Sequence, residues 1–445
     1  MIRAHKFMTT VLLCAAVAFG QSREAVHTHR NQARTPSTDQ AIVLTGGKLL
    51  TITHGTIDHG VIVMEGGKIA AVGKAGEVKV PANAKVIDVT GMTVYPGLID
   101  SETHLGLTEI EAEKSTNDLV ELSDEIMPQM HVTDAFHAES ALIPVTRYNG
   151  ILNAVVAPAT EDTLPGQDAF IQLAGTDATE MLIGRDVAMP LNFDGTQRRN
   201  ETWATAKYPM TRMGMAAQLR QAFIDAQEYG QRLDDYNKKK AAGDAKAMAP
   251  KRDLKLEALL PYLRGQKPVV IGAVEPSDIE TAVGLAKEFN LKFILNHLTH
   301  CQPILDYVAS LKVPVIVGPI YEFPKDEERY DSVYRLPAEL QKRGVKIAFA
   351  SYDAHQSRNL PYAAGYAVAY GLPYDEALKA ITINAAEIWG VADKLGSLDV
   401  GKTANVVVSN GDPLDVKTDV KHIFVAGQEI PLKDRQTELR DEYSK

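Results

Sequence analysis

The sequence predicts an α/β fold: a (β/α)8 TIM barrel carrying a small β-sandwich built from both ends of the chain. Three observations predict it. Short Val- and Ile-rich runs alternate with helical segments through the C-terminal half, β-rich texture occupies both ends, and 445 residues exceed one minimal domain.

The chain opens on a short basic region, "MIRAHK", and an apolar core, "FMTTVLLCAAVAFG", in which Ala18-Phe19-Gly20 puts small residues at the two cleavage-determining positions. This pattern reads as a secretory signal peptide over residues 1–20, so the expected location is periplasmic or secreted. Residues 21–40, polar and without periodicity, are an expected disordered leader. Cys14 lies within the signal, where Leu13 is too large for a good lipoprotein cleavage site, and the mature chain keeps Cys301 alone. That excludes an intramolecular disulfide. Loss of Arg3 and Lys6 leaves 45 of the 47 basic residues against 57 acidic ones, a net charge of −12. An acidic chain without a basic cluster argues against a nucleic-acid partner, and a homo-oligomer is compatible with this composition. After the signal, no segment is apolar for long enough to span a membrane.

Ordered structure begins with "AIVLTGGKLLTI", "GVIVMEGGKIAAVG" and "AKVIDVTGMTVY", where Gly46-Gly47 and Gly66-Gly67 read as hairpin turns. The texture returns in "GKTANVVVSNGDPL" and "DVKHIFVAGQEI". Each block is too small to bury a core, so residues 41–95 and 397–431 are expected to pack as one sandwich, leaving 432–445 as a tail.

Residues 96–396 carry the barrel pattern. "PVVIGAV" precedes the helical "SDIETAVGLAKEFN", "KFILNH" precedes "CQPILDYVASLK", and "VPVIVGP" precedes "PAELQKRG". "VKIAFASYD" then leads to "LPYAAGYAVAYG" and "YDEALKAITINAAEIWG". Parallel βα units give this rhythm, and "GLIDSETH" and "GILNAVVAP" supply earlier strands. Residues 209–264 interrupt it with a helix that puts Leu219, Phe223, Ala226 and Leu233 on one face. The charged, Ala-rich stretch after it reads as a solvated helix or loop on the rim.

A barrel's chemistry sits where its strands end at the C-terminal face. After "YPGLID" come Glu102 and His104, and after "KFILN" come His297 and His300. After "VKIAFASY" come Asp353 and His355, whereas "PVVI" is followed only by Gly272-Ala273.

"PGLIDSETH" resembles the first-strand signature, PGLID followed by x-H-x-H, of the amidohydrolase superfamily. The likeness is to the branch of imidazolonepropionases and secreted prolidase-like enzymes. "GKIAAVG" and "VIDVTGMTVYPG" resemble that family's N-terminal sandwich half. "AITINAAEIWGVADKLGSLDVGKTANVVVSNGDPL" resembles its T-x-N-P-A, L-G-S-L-x-x-G-K-x-A-D and D-G-D-P-L exit. These motifs run from about residue 41 to 431. The resemblance implies divalent metals that activate water to hydrolyse an amide, lactam or other C–N bond. Metal binding lowers the pKa of water from about 15.7 to about 7. It also implies a last-strand aspartate that carries the proton to the leaving amine.

The carry-over is uneven. His104 matches the second histidine of the first-strand pair and Asp353 the last-strand aspartate, while His297 is the best match to the sixth-strand histidine, with His300 competing for that place. Glu102 replaces the first histidine, Gly272 falls where the fifth-strand histidine is expected, and no fourth-strand lysine or glutamate bridges two metals. Ala385 for proline and Asn405 for aspartate lie outside the chemical core. The expected cofactor is therefore one divalent metal, zinc by its donors Glu102, His104 and His297 with an open position, or none. Asp353 is the catalytic candidate, with capping of the next segment as its structural alternative. His300 and His355 are candidate substrate-binding residues. The expected function is an exported hydrolase acting on a C–N bond of a small amide, lactam or dipeptide-like substrate. The alternative is a non-catalytic barrel that binds a ligand or partner.

Overall fold

The structure is a computed structural model that describes residues 40–194, 208–325 and 327–444. The expected signal peptide, and the leader up to residue 39, lie outside the described residues.

The chain begins with β1 (Ile42–Leu50), β2 (Thr56–Glu65), β3 (Lys68–Lys74), β4 (Lys85–Asp88) and β5 (Thr93–Pro96). Gly66-Gly67 turns the chain between β2 and β3 as expected, but Gly46-Gly47 does not turn it. β1 runs straight through that pair: Thr45 faces Val61 and Gly47 faces Gly60, with an irregular register between them. Gly46 has φ +83°, so the pair makes a bulge, where a left-handed glycine absorbs one extra residue. β4 and β5 both run parallel to β1, so "AKVIDVTGMTVY" forms no hairpin.

The chain ends with β15 (Val406–Ser409), β16 (Val420–Val425) and β17 (Gln428–Ile430). β15 pairs antiparallel with β5, from Val406 opposite Pro96 to Ser409 opposite Thr93. Both chain ends thus share one eight-stranded sheet, ordered β17-β16-β15-β5-β1-β2-β3 with β4 on β1. Leu44, Leu49, Ile62, Val94, Val406 and Phe424 form a common buried cluster on it.

Between these ends lie β6 (Leu98–Thr103), β7 (Ile151–Val156), β8 (Ala169–Gln172), β9 (Leu182–Gly184) and β10 (Met189–Asn192). β11 (Val269–Ala273), β12 (Phe293–His297), β13 (Val315–Val317) and β14 (Ile347–Phe349) follow. β6 and β7 are parallel, and β10 to β14 form a parallel sheet in chain order. The molecule is therefore α/β. One departure from a repeated βα pattern is clear: β8 and β9 run antiparallel in a β6-β7-β8-β9 sheet. The link from β7 to β8 contains no helix, and a parallel return needs a long crossover.

Helices follow β11 to β14, beginning with Pro276–Glu288, whose Ile279, Ala282, Val283 and Ala286 are buried at helical spacing. The interrupting helix spans Arg212–Ala241, capped where the Thr211 side chain accepts the Gly214 N–H. Leu219, Phe223 and Ala226 are buried as predicted, whereas Leu233 is half-buried and Tyr229 and Gly230 take the covered face. Phe223 meets Phe289 at 5.0 Å between ring centroids. Burying such a ring contributes about 2–3 kcal/mol. Among the described residues no helix is long and apolar enough to cross a membrane.

Candidate functional site

The ends of β6, β12 and β14 converge. The N–H groups of Ser351 and Tyr352, just past β14, both donate to the Glu102 carbonyl in β6, at 3.2 and 3.0 Å. Thr103 Oγ1 donates to the Asp353 carbonyl at 2.8 Å. His104, the next residue, is therefore held beside the turn that carries Asp353.

Glu102 points inward. Its Oε2 accepts from Asn296 Nδ2 at 2.6 Å, and only 4% of the residue is exposed. Burial, with Asp100 adding its repulsion, pushes the Glu102 carboxyl up to about 8. Asp100, fully buried, accepts the Ser351 and Glu102 N–H groups through Oδ1 at 3.0 and 3.3 Å, and burial pushes it up to about 7. Asp168 is a third buried acid: burial raises it well above the usual carboxylate range, with Glu102 contributing. A buried carboxyl without a cationic partner relieves its desolvation by keeping its proton.

The two expected imidazoles are neutral for the same reason. His104 Nδ1 lies 2.9 Å from the Ala157 carbonyl. A carbonyl oxygen only accepts, so Nδ1 carries the hydrogen and Nε2 keeps its lone pair. Burial holds His104 below the usual histidine range, against the nearby Asp353, Glu161 and Glu111. His297 is pulled down to about 4 by burial, with His104 as the next cause, and its Nε2 is buried without a hydrogen-bond partner. Its ring stacks on Tyr352 with centroids 4.3 Å apart.

The remaining candidates stand apart. Asp353 Oδ1 accepts the N–H groups of His355 and Gln356 at 2.5 and 2.8 Å, so this carboxylate does cap the turn that follows. Its other oxygen has no such task. His355 is exposed and contributes its backbone to that cap. His300, a substrate-binding candidate, is only 8% exposed and places Nδ1 3.0 Å from both Glu328 oxygens. That tie joins the loop after β12 to the loop after β13. Cys301 is fully buried, and burial pushes its thiol up to about 12, an inert packed cysteine.

A model of the amidohydrolase family matches residues 217–430. Amidohydrolase tasK of Hapsidospora irregularis is 26% identical over 388 residues, which cover 83% of this chain and 39% of that one. The solved amidohydrolase of Thermotoga maritima MSB8 is 27% identical with a TM-score of 0.79, covering 88% of this chain and 99% of that chain. The chain belongs to the amidohydrolase superfamily. Its alignment spans well under half the length of the H. irregularis protein. The imidazolonepropionase of Picrophilus torridus is 24% identical over 346 residues, 74% of this amidohydrolase and 82% of that protein. A prolidase structure at 18% identity and TM-score 0.55 shares the fold.

Amidohydrolases of the expected kind need side chains converging on a metal, and among the described residues no three His, Cys, Asp or Glu side chains do so. The reasons are local. Glu102 is turned onto Asn296. Gly272 offers no donor, and Asn192 Oδ1 stands 2.6 Å from where a Cβ on Gly272 would lie. Asn192 is fixed there, because its Nδ2 donates to the Asp162 carbonyl at 2.9 Å. Two imidazoles remain, short of the three-donor set of a catalytic zinc, so the described residues do not fit the expected metal. The structure thus adds Asn192, Asn296, Tyr352 and Asp168 to the residues that shape the site. Asn296 and Tyr352 directly precede His297 and Asp353, and that adjacency was the available signal.

Proposed function

We propose that this amidohydrolase hydrolyses a C–N bond of a small amide, lactam or dipeptide-like substrate at the ends of β6, β12 and β14. The observation that carries the reading is the adjacency of His104 and Asp353, fixed through the Thr103 to Asp353 hydrogen bond. His104 Nε2, with its lone pair free, orients the attacking water. Asp353, through the oxygen not used in capping, takes the water's proton as oxygen adds to the carbonyl carbon. It returns that proton to the nitrogen as the C–N bond breaks. His297, neutral at working pH, lines the same side. In a barrel, eight strands feed one interior, and Ile99, Val155, Phe170, Ala188, Val270, Ile294, Ile316 and Ala348 form one buried cluster, one from or beside each of β6–β8 and β10–β14. We read this as a closed barrel joined to the composite end sheet, exported as the leader pattern suggests.

Release of amine from N-acyl amino acids, dipeptides and cyclic amides tests the reading. Turnover by the purified chain supports it; a blank panel at high enzyme concentration counts against it. A second reading, a ligand-binding barrel without turnover, is favoured by Gly272 beneath Asn192. Thermal stabilisation by members of the same panel without amine release marks that outcome.

A further inference from the structure

Where the expected metal donors would meet, the described residues make a continuous hydrogen-bonded chain instead. Asn296 is its centre and is only 2% exposed. Its Oδ1 accepts the Tyr352 hydroxyl at 2.6 Å and the His297 N–H at 2.9 Å, while its Nδ2 donates to Glu102 Oε2 at 2.6 Å. The His297 N–H fixes the orientation of the amide, since a flip would set the Asn296 amino group against that backbone donor. The chain ties together the ends of β6, β12 and β14.

Two further features show what it holds. His297 and Tyr352 both adopt left-handed backbone, φ +67° and +56°, which a non-glycine residue keeps only when its surroundings impose it. Their rings stack at 4.3 Å. Asn296 accepts from the backbone of the first and the hydroxyl of the second, so one side chain fixes both bends. For Glu102 to turn towards His104 and a metal, it would have to release Asn296 Nδ2, leaving a buried donor unpaired.

We propose that Glu102, Asn296 and Tyr352 are a metal-independent clamp that positions His297 at the strand ends. The proposal rests on the reading above in taking these strand ends as the reaction site. Glu102 is then a positioning residue that serves as a hydrogen-bond acceptor, and a neutral acceptor of the same shape does equally well. A ligand role would require a carboxylate, which glutamine cannot replace.

The test compares full-length wild type, Glu102→Gln and Glu102→Leu, expressed with added zinc and purified without chelator. Zinc per chain is measured by mass spectrometry, and melting is followed with and without EDTA. The clamp predicts no stoichiometric zinc in wild type, melting unmoved by EDTA, and Glu102→Gln melting with wild type when the two are compared at pH 5, where the Glu102 side chain keeps its proton. Glu102→Leu, which strands the Asn296 donor, should melt lower by about 1–4 °C. Stoichiometric zinc in wild type, a fall in melting on chelation, or Glu102→Leu melting with wild type would overturn it. None of these readouts involves turnover, so the clamp and the hydrolytic reading stand or fall separately.

Discussion

Replacing Glu102 by glutamine should change how stability depends on pH more than it changes stability itself. The Glu102 carboxyl lies at about 8 in the folded chain, against 4.5 for an ordinary glutamate. Between those values the folded state holds a proton that the unfolded state has lost. Stability therefore falls as pH rises through the window, by at most about 1.4 kcal/mol per pH unit. The full interval would amount to about 5 kcal/mol, and relaxation around Glu102 and its two acidic neighbours, Asp100 and Asp168, reduces this to about 2–3 kcal/mol. Glutamine keeps the acceptor for Asn296 and has no proton to lose. Urea unfolding of both proteins should give matching curves at pH 5, and Glu102→Gln should be the more stable by about 2–3 kcal/mol at pH 8.5. Parallel pH profiles would refute the buried-acid account.

His297 should act in the opposite direction: lying near 4 when folded and 6.5 when free, it makes stability rise with pH across that window. His297→Gln should flatten the acid limb of the urea midpoint against pH. Gly272→Ala should destabilise by about 1–3 kcal/mol, because the added methyl meets Asn192 Oδ1, and Asn192→Ala should reduce that cost in a double-mutant cycle. Additive effects would show that the two do not touch. Ending the chain at residue 395 should lower its melting temperature by removing the strands paired with β5; unchanged melting would deny that pairing its energetic weight.

Much of the α/β pattern was legible because short β-branched runs and amphipathic helices differ in period. Val269–Ala273 and Pro276–Glu288 were readable for that reason. Gly46-Gly47 was misread because the dipeptide that ends a hairpin strand also makes a bulge, and only the partner strand distinguishes them. The antiparallel β8 escaped notice since burial on both faces hides strand direction. At the site, the departures at 102 and 272 were visible in the sequence, but their consequences were not. Which side chain fills the space above Gly272, and which donor meets Glu102, depends on residues 80 and 194 positions away in the chain. Asp353 illustrates the limit of motif reading, since the capping carboxylate and the candidate proton carrier are the same group.

The most direct test of the hydrolytic account is turnover by wild type and Asp353→Asn on whichever panel member releases amine. The substitution is nearly isosteric, and melting is recorded alongside to register loss of the cap, about 1 kcal/mol. The account predicts that Asp353→Asn loses about 10²–10⁴ in kcat with melting nearly kept. Equal turnover in the two proteins, or loss of rate only in proportion to loss of folded protein, would contradict it.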